Sequence, residues 1–349
     1  MTQHLVERPT TPTAAAESGV LAGMTGFLRE LAVQDWFIAG YFAVVLLAVV
    51  FGTGPGHAES VSIVVSDIVI LWAGLALSRG GILTRGTIVS QLVYRLSLLG
   101  TVLASYFQMR VILPAVSMRA VDGQLLAFDL RLFHFEPSIA WDRFVSPQTT
   151  EWFAFFYFGY FFVLAAHVLP FLLVVKRLDA LARFSLGIFM VFCTGHLLYM
   201  VVPGYGPYRY LAGQFAHELS GGTFWDLVKE TVAGAGAQKD IFPSLHTAVP
   251  TFFTLFSFRN RKVVRAFRYT WPIQAFVTTQ IIVATMFLRW HYLIDIFAGL
   301  SLATLAVVVS EKIVAWETAY RARAGIRPAW VPLRWRGPFS GTRRRSPSR

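Results

Sequence analysis

Residues 240–246 read Asp-Ile-Phe-Pro-Ser-Leu-His, and residues 288–295 read Leu-Arg-Trp-His-Tyr-Leu-Ile-Asp. Each stretch places a histidine at the start of a long apolar segment, and in the second Asp295 follows His291 by four residues. Residues four apart share one face of a helix, so the carboxylate can hold one imidazole nitrogen protonated while the other acts as nucleophile or base. The sequence therefore predicts acid–base or nucleophilic chemistry at a membrane boundary.

The composition is typical of an all-α polytopic membrane protein. Of the 349 residues, 55% are hydrophobic and only 14% are charged, whereas soluble proteins carry about a quarter charged residues. We expect helices, because backbone groups in lipid must be hydrogen-bonded within their own segment and the sequence shows no alternating barrel pattern. About eight spans, each close to the ~20 residues that cross a bilayer, are predicted at 35–52, 61–78, 91–117, 151–175, 181–203, 244–259, 269–288 and 291–314.

The distribution of Lys and Arg predicts cytoplasmic N- and C-termini. Alternate connections between the spans are rich in basic residues, whereas the connection at 53–60 has none. Both histidine motifs then face the extracytoplasmic side. The net charge of +12 is concentrated in these connections and in the tail, so we expect membrane lipids as partners and no nucleic acid. The arginine-rich composition and short tails favour a bacterial plasma membrane.

Four regions are expected along the chain. Residues 1–34 form a polar, disordered start followed by an interfacial amphipathic helix or a simple lead-in, and residues 35–78 form two accessory spans. Residues 91–314 form a six-helix catalytic core, and residues 315–349 form a basic cytoplasmic tail. Within the core, the outer segment 118–150 interleaves apolar and charged residues, which indicates either a short helix on the membrane surface or a packed connector.

The first motif is predicted to form a helix N-terminus. Pro243 suits a first helical turn and Ser244 can cap it. The unpaired N–H groups and the dipole of such an end attract an anion such as phosphate, and His246 would lie beside that anion. A lone histidine at a membrane interface is more often a polar anchor, so the interpretation depends on the second motif.

Besides Ser244, two arginines are candidate ligands of the substrate phosphate. Arg289 lies two residues before His291, and Arg209 ends the irregular stretch Pro-Gly-Tyr-Gly-Pro-Tyr-Arg at 203–209. The alternative for Arg209 is a loop with a solvated side chain. No carboxylate cluster accompanies the histidines, so we expect neither a metal nor another cofactor. Three other polar residues within spans are more simply explained by structural pairing: His167, His196 and Arg110.

Both motifs resemble those of the type 2 phosphatidic acid phosphatase superfamily. The resemblance covers about 91–314 and is strongest to the branch of inositol phosphorylceramide synthases, and weaker to sphingomyelin synthases. The Pro-Ser-x-His and His-Tyr-x-x-Asp motifs of that family match Pro243, Ser244 and His246, and His291, Tyr292 and Asp295.

The resemblance implies a six-helix core with one active site at the extracytoplasmic membrane surface. It also implies that His291 is the nucleophile that takes the phosphoryl group, that Asp295 orients it, and that His246 protonates the leaving group. Two departures separate this chain from the phosphatase branch. The Lys-x6-Arg-Pro motif is missing, and Ala284 and Thr285 stand where that branch has Ser-Arg. The resemblance therefore favours a phosphotransferase.

We expect a membrane-embedded lipid phosphotransferase that moves a phosphoryl or phospho-headgroup, such as phosphoinositol, through a phosphohistidine intermediate. Its substrates would be a lipid phosphate or phospholipid and a second alcohol. With water as acceptor, the same site would be a lipid-phosphate phosphatase acting on polyprenyl phosphate or phosphatidate. A transporter with a proton relay is a further alternative, but it would place charged residues at the bilayer midplane on broken helices rather than at one surface.

Overall fold

A computed structural model describes residues 23–84, 86–173, 177–235 and 239–332. These residues form helices and contain no β-strand. The expected disordered residues 1–18 and the last part of the basic tail, 333–349, lie outside the described residues. The ten longer helices are α1 (Val33–Val50), α2 (His57–Arg79), α3 (Ile88–Val116), α4 (Asp122–Phe133), α5 (Pro147–Leu173), α6 (Leu178–Val201), α7 (Thr223–Ala235), α8 (Leu245–Asn260), α9 (Arg265–Phe287) and α10 (Leu293–Arg323).

The protein is an all-α polytopic membrane protein, as expected. Each of the eight predicted spans corresponds to a helix, with bounds shifted by a few residues. Six of them, α1, α2, α3, α5, α6 and α10, are long and apolar enough to cross a membrane. The 16-residue α8 and the more polar α9 fall short of that measure. The α10 helix runs beyond the expected end at 314 to Arg323.

Helix α8 lies at the centre of the bundle and packs against α5, α6, α9 and α10. Two glycines permit this close approach. A Cβ at Gly187 of α6 would lie 2.4 Å from the ring of Phe252, and one at Gly299 of α10 would lie 2.7 Å from the carbonyl oxygen of Ser244. In lipid, helices associate through close packing rather than through escape from water, so small residues at these crossings stabilise the core.

The accessory helices α1 and α2 are joined to α10 at the end of the bundle away from the histidine motifs. Arg79 of α2 pairs with Asp35 of α1 at 2.6 Å, and the hydroxyl of Tyr94 on α3 donates to the same carboxylate at 2.7 Å. Near the end of α10, Glu317 accepts from the N–H of Val33 at 3.1 Å, and Arg321 donates to the carbonyl of Leu31 at 2.5 Å. The start of α1 and the ends of α2 and α10 therefore meet in one buried network.

Two helices that do not span the membrane lie at the opposite end. The segment 118–150 contains α4 and a single helical turn, Pro137–Ala140, and the place of this helix on the membrane surface stays a prediction. The second, α7, was not predicted from the sequence, although Phe224, Trp225, Val228 and Val232 repeat at helical spacing. It packs on α5 and buries Trp225 and Val228. Both helices flank the starts of α8 and α10, where the histidines lie.

Candidate active site

The two sequence motifs meet at the starts of two helices. Ser244 is the N-cap of α8, and its hydroxyl accepts the N–H of Thr247 at 3.3 Å. Its own N–H donates to the carbonyl of Asp295, in the first turn of α10, at 3.1 Å. This contact fixes the start of α8, which carries His246, against the start of α10, which follows His291.

Both histidines line one cavity of about 800 Å³. Arg209, Lys229 and Asp240 contribute its charged groups. Its wall is otherwise mainly aromatic, with the rings of Tyr106, Phe107, Tyr157, Tyr160, Phe161, Phe192, Tyr199, Tyr205, Tyr208 and Trp290. The structure thus brings together two imidazoles that are 45 positions apart in sequence and gives them a common space for a ligand.

His291 is held by the first turn of α10. Its Nδ1 lies 3.4 Å from Oδ2 of Asp295, and that oxygen also accepts the N–H of Tyr292 at 2.9 Å. Burial lowers the pKa of His291 to about 4, and the negative charge of Asp240 only partly offsets this effect. Its imidazole is therefore neutral at neutral pH, which is the protonation state that a nitrogen nucleophile needs.

His246 lies between two tyrosine rings. The ring of Tyr157 is stacked on the imidazole with centroids 4.2 Å apart, and the ring of Tyr160 lies at the same distance with its plane tilted by 38°. Its Nε2 is buried and has no hydrogen-bond partner among the described residues. A buried polar atom without a partner is costly, so this nitrogen is placed to bond with a group inside the cavity.

The loop between α9 and α10 packs directly on the loop that carries Arg209. The N–H of Tyr208 donates to the carbonyl of Arg289 at 2.6 Å. Gly206 has a φ of 82°, and a Cβ there would lie 2.3 Å from the carbonyl oxygen of Trp290. Only glycine allows this approach, which brings Arg209 to the wall of the cavity near His291.

The two predicted phosphate-binding arginines have different surroundings. Arg209 is exposed, lines the cavity and places its guanidinium 4.1 Å above the ring of Tyr205. Arg289 is 6% exposed and is not among the residues that line the cavity. It pairs with Asp142 at 2.7 Å and donates to the carbonyl of His217 at 2.6 Å. Arg289 therefore links the loop before His291 to the outer segments.

Sequence reasoning assigned no role to two charged residues of the cavity. Lys229 lies on α7, a helix that was not predicted, and it pairs with Asp226 at 3.0 Å. Asp240 opens the first motif, and burial raises its pKa, while the charge of His291 lowers it in part. The position of Asp240 beside the histidine motif was visible in the sequence, but its burial was not.

The remaining polar residues noted in the sequence lie outside the cavity wall. His196 is fully buried, with Nδ1 3.2 Å from the hydroxyl of Tyr41 and 3.3 Å from that of Ser105. His167 bonds through Nδ1 to the carbonyl of Val163 at 2.9 Å, and Arg110 is exposed. Within the part of the chain that the structure describes, no group of three or more His, Cys, Asp and Glu side chains is arranged to hold a metal ion.

Comparison with known proteins places these motifs in a family. A model of the PAP2 superfamily matches residues 123–309, which is more than half of the chain and includes both histidine motifs. The match begins within α4, so the first three helices lie outside it. No curated protein and no solved structure matches the chain significantly. The protein belongs to the PAP2 superfamily, the type 2 phosphatidic acid phosphatases and their relatives.

Proposed function

We propose that the protein is a lipid phosphotransferase that moves a phosphoryl or phospho-headgroup, such as phosphoinositol, through a phosphohistidine at the extracytoplasmic face. The observation that carries this proposal is the shared cavity of His246 and His291. Membership of the PAP2 superfamily supports a lipid phosphate substrate. The side of the membrane follows from the basic residues of the connections.

The lipid tail enters between α3 and α5. Both helices contribute to the cavity wall, and they meet where Arg95 of α3 donates to the carbonyl of Leu172 of α5, at the end of the bundle away from the histidines. Nearer the histidines, the wall residues that these helices contribute are apolar or aromatic and Phe107 on α3 is 57% exposed, so we propose that the gap for the lipid lies here. Because apolar chains are soluble in the bilayer core, such a gap admits a lipid from the side while its head group stays at the membrane surface.

Chemistry then proceeds in two displacements. In the first, Nε2 of His291 attacks phosphorus, a P–N bond forms, the P–O bond to the leaving group breaks, and protonated His246 gives its proton to the departing oxygen. In the second, neutral His246 takes the proton of an acceptor hydroxyl, whose oxygen attacks phosphorus as the P–N bond breaks. Arg209, Lys229 and the N-terminus of α8 stabilise the charge on the phosphoryl oxygens.

The alternative acceptor is water, which would make the protein a phosphatase acting on polyprenyl phosphate or phosphatidate. The same histidines serve both reactions, because water and an alcohol lose their proton to the same base. We favour the transferase because the Lys-x6-Arg-Pro motif of the phosphatase branch is missing from the sequence.

The decisive experiment incubates purified protein with lipid donors that carry a radiolabelled phosphate, with and without inositol or a lipid alcohol. We expect label in a new phospholipid or phosphopolyol, and transient label on His291 after acid-free quenching. Release of inorganic phosphate alone, under every acceptor condition, would refute the transferase and leave the phosphatase.

Histidine variants test the mechanism. His291→Gln should abolish both turnover and labelling, whereas His246→Gln should slow both displacements because no acid or base remains. His57→Gln is the matched control, since this exposed histidine begins α2, and its side chain bonds to the carbonyl of Val50 and does not line the cavity. Label that stays on the protein in His291→Gln would exclude His291 as the nucleophile.

A further inference from the structure

Helix α4 carries two buried carboxylates on one face. Asp122 and Asp129 are seven residues apart, which is about two helical turns, and they are 2% and 0% exposed. Neither is among the residues that line the cavity. Instead, each carboxylate accepts hydrogen bonds from backbone N–H groups in a different segment of the candidate site.

Asp122 holds the loop that carries Arg209. Its Oδ1 accepts the N–H of Gly206 at 2.8 Å, and both of its oxygens lie 3.0 Å from the N–H of Tyr205. The hydroxyl of Tyr292 donates to the same carboxylate at 3.2 Å. The carboxylate thus fixes consecutive peptide groups three and four residues before Arg209 and joins them to the residue that follows His291.

Asp129 holds the start of α10. Its Oδ2 accepts the N–H of Leu293 at 2.6 Å, and its Oδ1 accepts the N–H of Ile294 at 2.9 Å. These are the first N–H groups of the helix, which have no partner within it. The N-cap of α10 is Tyr292, whose side chain forms no capping hydrogen bond. Asp129, which lies on α4, therefore caps the N-terminus of α10.

A second contact keeps α4 in register with α10. The rings of Phe133 and Phe297 are stacked with centroids 5.1 Å apart and planes 9° apart. Asp129 and this stack therefore join α4 to α10 at two places, within the first turn of α10 and just after it. A shift of α4 would consequently move the backbone between His291 and Asp295.

We propose that Asp122 and Asp129 are positioning residues that set the geometry of the two halves of the active site from outside it. Asp129 acts on the nucleophile through the backbone of α10, and Asp122 acts on the phosphate-binding cation through the loop at 204–209. The inference rests on the proposed function for what the site does, but the positioning itself depends only on these contacts.

Asparagine variants separate the two roles. Asparagine keeps the shape of aspartate but is neutral and has one acceptor oxygen instead of two. At Asp129 one N–H group of α10 therefore loses its partner, and at Asp122 the N–H groups of Tyr205 and Gly206 share one neutral oxygen and lose the stronger bonds that a charged acceptor forms. We expect Asp129→Asn to lower kcat by roughly 10- to 100-fold with little change in KM, since small displacements of a nucleophile cost about that much. Asp122→Asn should mainly raise KM for the lipid phosphate. Asp179→Asn, at the other end of the bundle, is the control.

Hydrogen–deuterium exchange provides a readout that needs no activity. In full-length protein in detergent, Asp129→Asn should speed exchange of the amides of residues 293–294 and leave 205–206 protected, and Asp122→Asn should do the reverse. Unchanged exchange in both segments, or an equal rise throughout the protein, would overturn the positioning roles. If exchange changes as expected but the wild type turns over no lipid phosphate, the positioning stands and the proposed function fails.

Discussion

The ring of Tyr157 on α5 lies flat against the imidazole of His246 on α8, with ring centroids 4.2 Å apart and planes 10° apart. This contact fixes the plane of the imidazole and therefore the direction in which Nε2 points. Because the imidazole must both give and take a proton along that direction, the stack couples the packing of two helices to proton transfer. The contact is made by the aromatic ring of Tyr157, so we expect the ring to be required and the hydroxyl to be dispensable.

Replacing Tyr157 tests this coupling. Aromatic pairs contribute about 0.5–1.5 kcal/mol beyond the area that they bury, so Tyr157→Leu should lower kcat by up to about 10-fold. Tyr157→Phe keeps the ring and should remain close to the wild type. Steady-state kinetics with one lipid phosphate would measure both variants. Equal losses in the two variants would mean that the hydroxyl, rather than the stack, is required.

The two arginines predicted to bind phosphate should respond differently to substitution. Arg209→Ala removes a cation from the cavity wall, and a hydrogen bond to a charged group contributes about 1.5–3 kcal/mol, so kcat/KM should fall roughly 10- to 100-fold. Because Arg209 is exposed, the melting temperature should not change.

Arg289→Ala instead removes the buried cation that pairs with Asp142, which keeps its bonds with Ala216 and His217. We expect a lower melting temperature in detergent, together with reduced activity, because the loop before His291 loses its anchor. Arg143→Ala, which removes an exposed cation from the residue next to Asp142, is the matched control. If Arg289→Ala melted like the wild type and lost only substrate binding, Arg289 would be a direct phosphate ligand after all.

The helices could be predicted from the sequence because a bilayer imposes their length. A run of about 20 apolar residues has few other uses, so the eight spans were located to within a few residues. The meeting of His246 and His291 was also anticipated, since both motifs were predicted to start a helix at the same membrane boundary. The spacing of residues within each motif was enough for this prediction, whereas the cavity between the two histidines is seen only in the structure.

The supporting contacts could not be predicted in the same way. Asp129 bonds to residues 164 and 165 positions later, and no local pattern records such a partner. Arg289 was assigned to phosphate because it stands two residues from His291. Its backbone has a φ of 68°, and nothing in the sequence predicts this conformation for an arginine. Its side chain pairs with Asp142, 147 positions earlier.

Glu136 should make folding stability depend on pH. Burial raises the pKa of this carboxyl to about 7, its hydrogen bonds with Ser138 offset part of this rise, and the charges of Asp129 and Asp295 add a smaller increase. The folded protein therefore holds this proton more tightly than the unfolded chain. The stability that the proton contributes is fully present below pH 4.5 and is lost as the pH rises through about 7.

Glu136→Gln keeps the side chain neutral at every pH. Its melting temperature in detergent should fall less than that of the wild type between about pH 5 and pH 8. Glu218→Gln, at an exposed position, should follow the wild-type curve. Parallel curves for Glu136→Gln and the wild type would show that Glu136 is not the group that titrates.

The ion pair of Asp35 and Arg79 should matter for stability and not for catalysis. Both side chains are at most 7% exposed, and breaking a buried pair by removing one partner typically costs about 3–5 kcal/mol. Arg79→Ala should therefore lower the melting temperature clearly. The exposed pair of Arg177 and Asp179 is the control, since Arg177→Ala should cost no more than about 1 kcal/mol. Glu317 and Arg321, the residues of α10 in this network, lie about 36–42 Å along the helix from its start beside His291, so kcat per folded molecule should be unchanged in both variants. A fall in kcat at full stability would show instead that the accessory helices act on the active site.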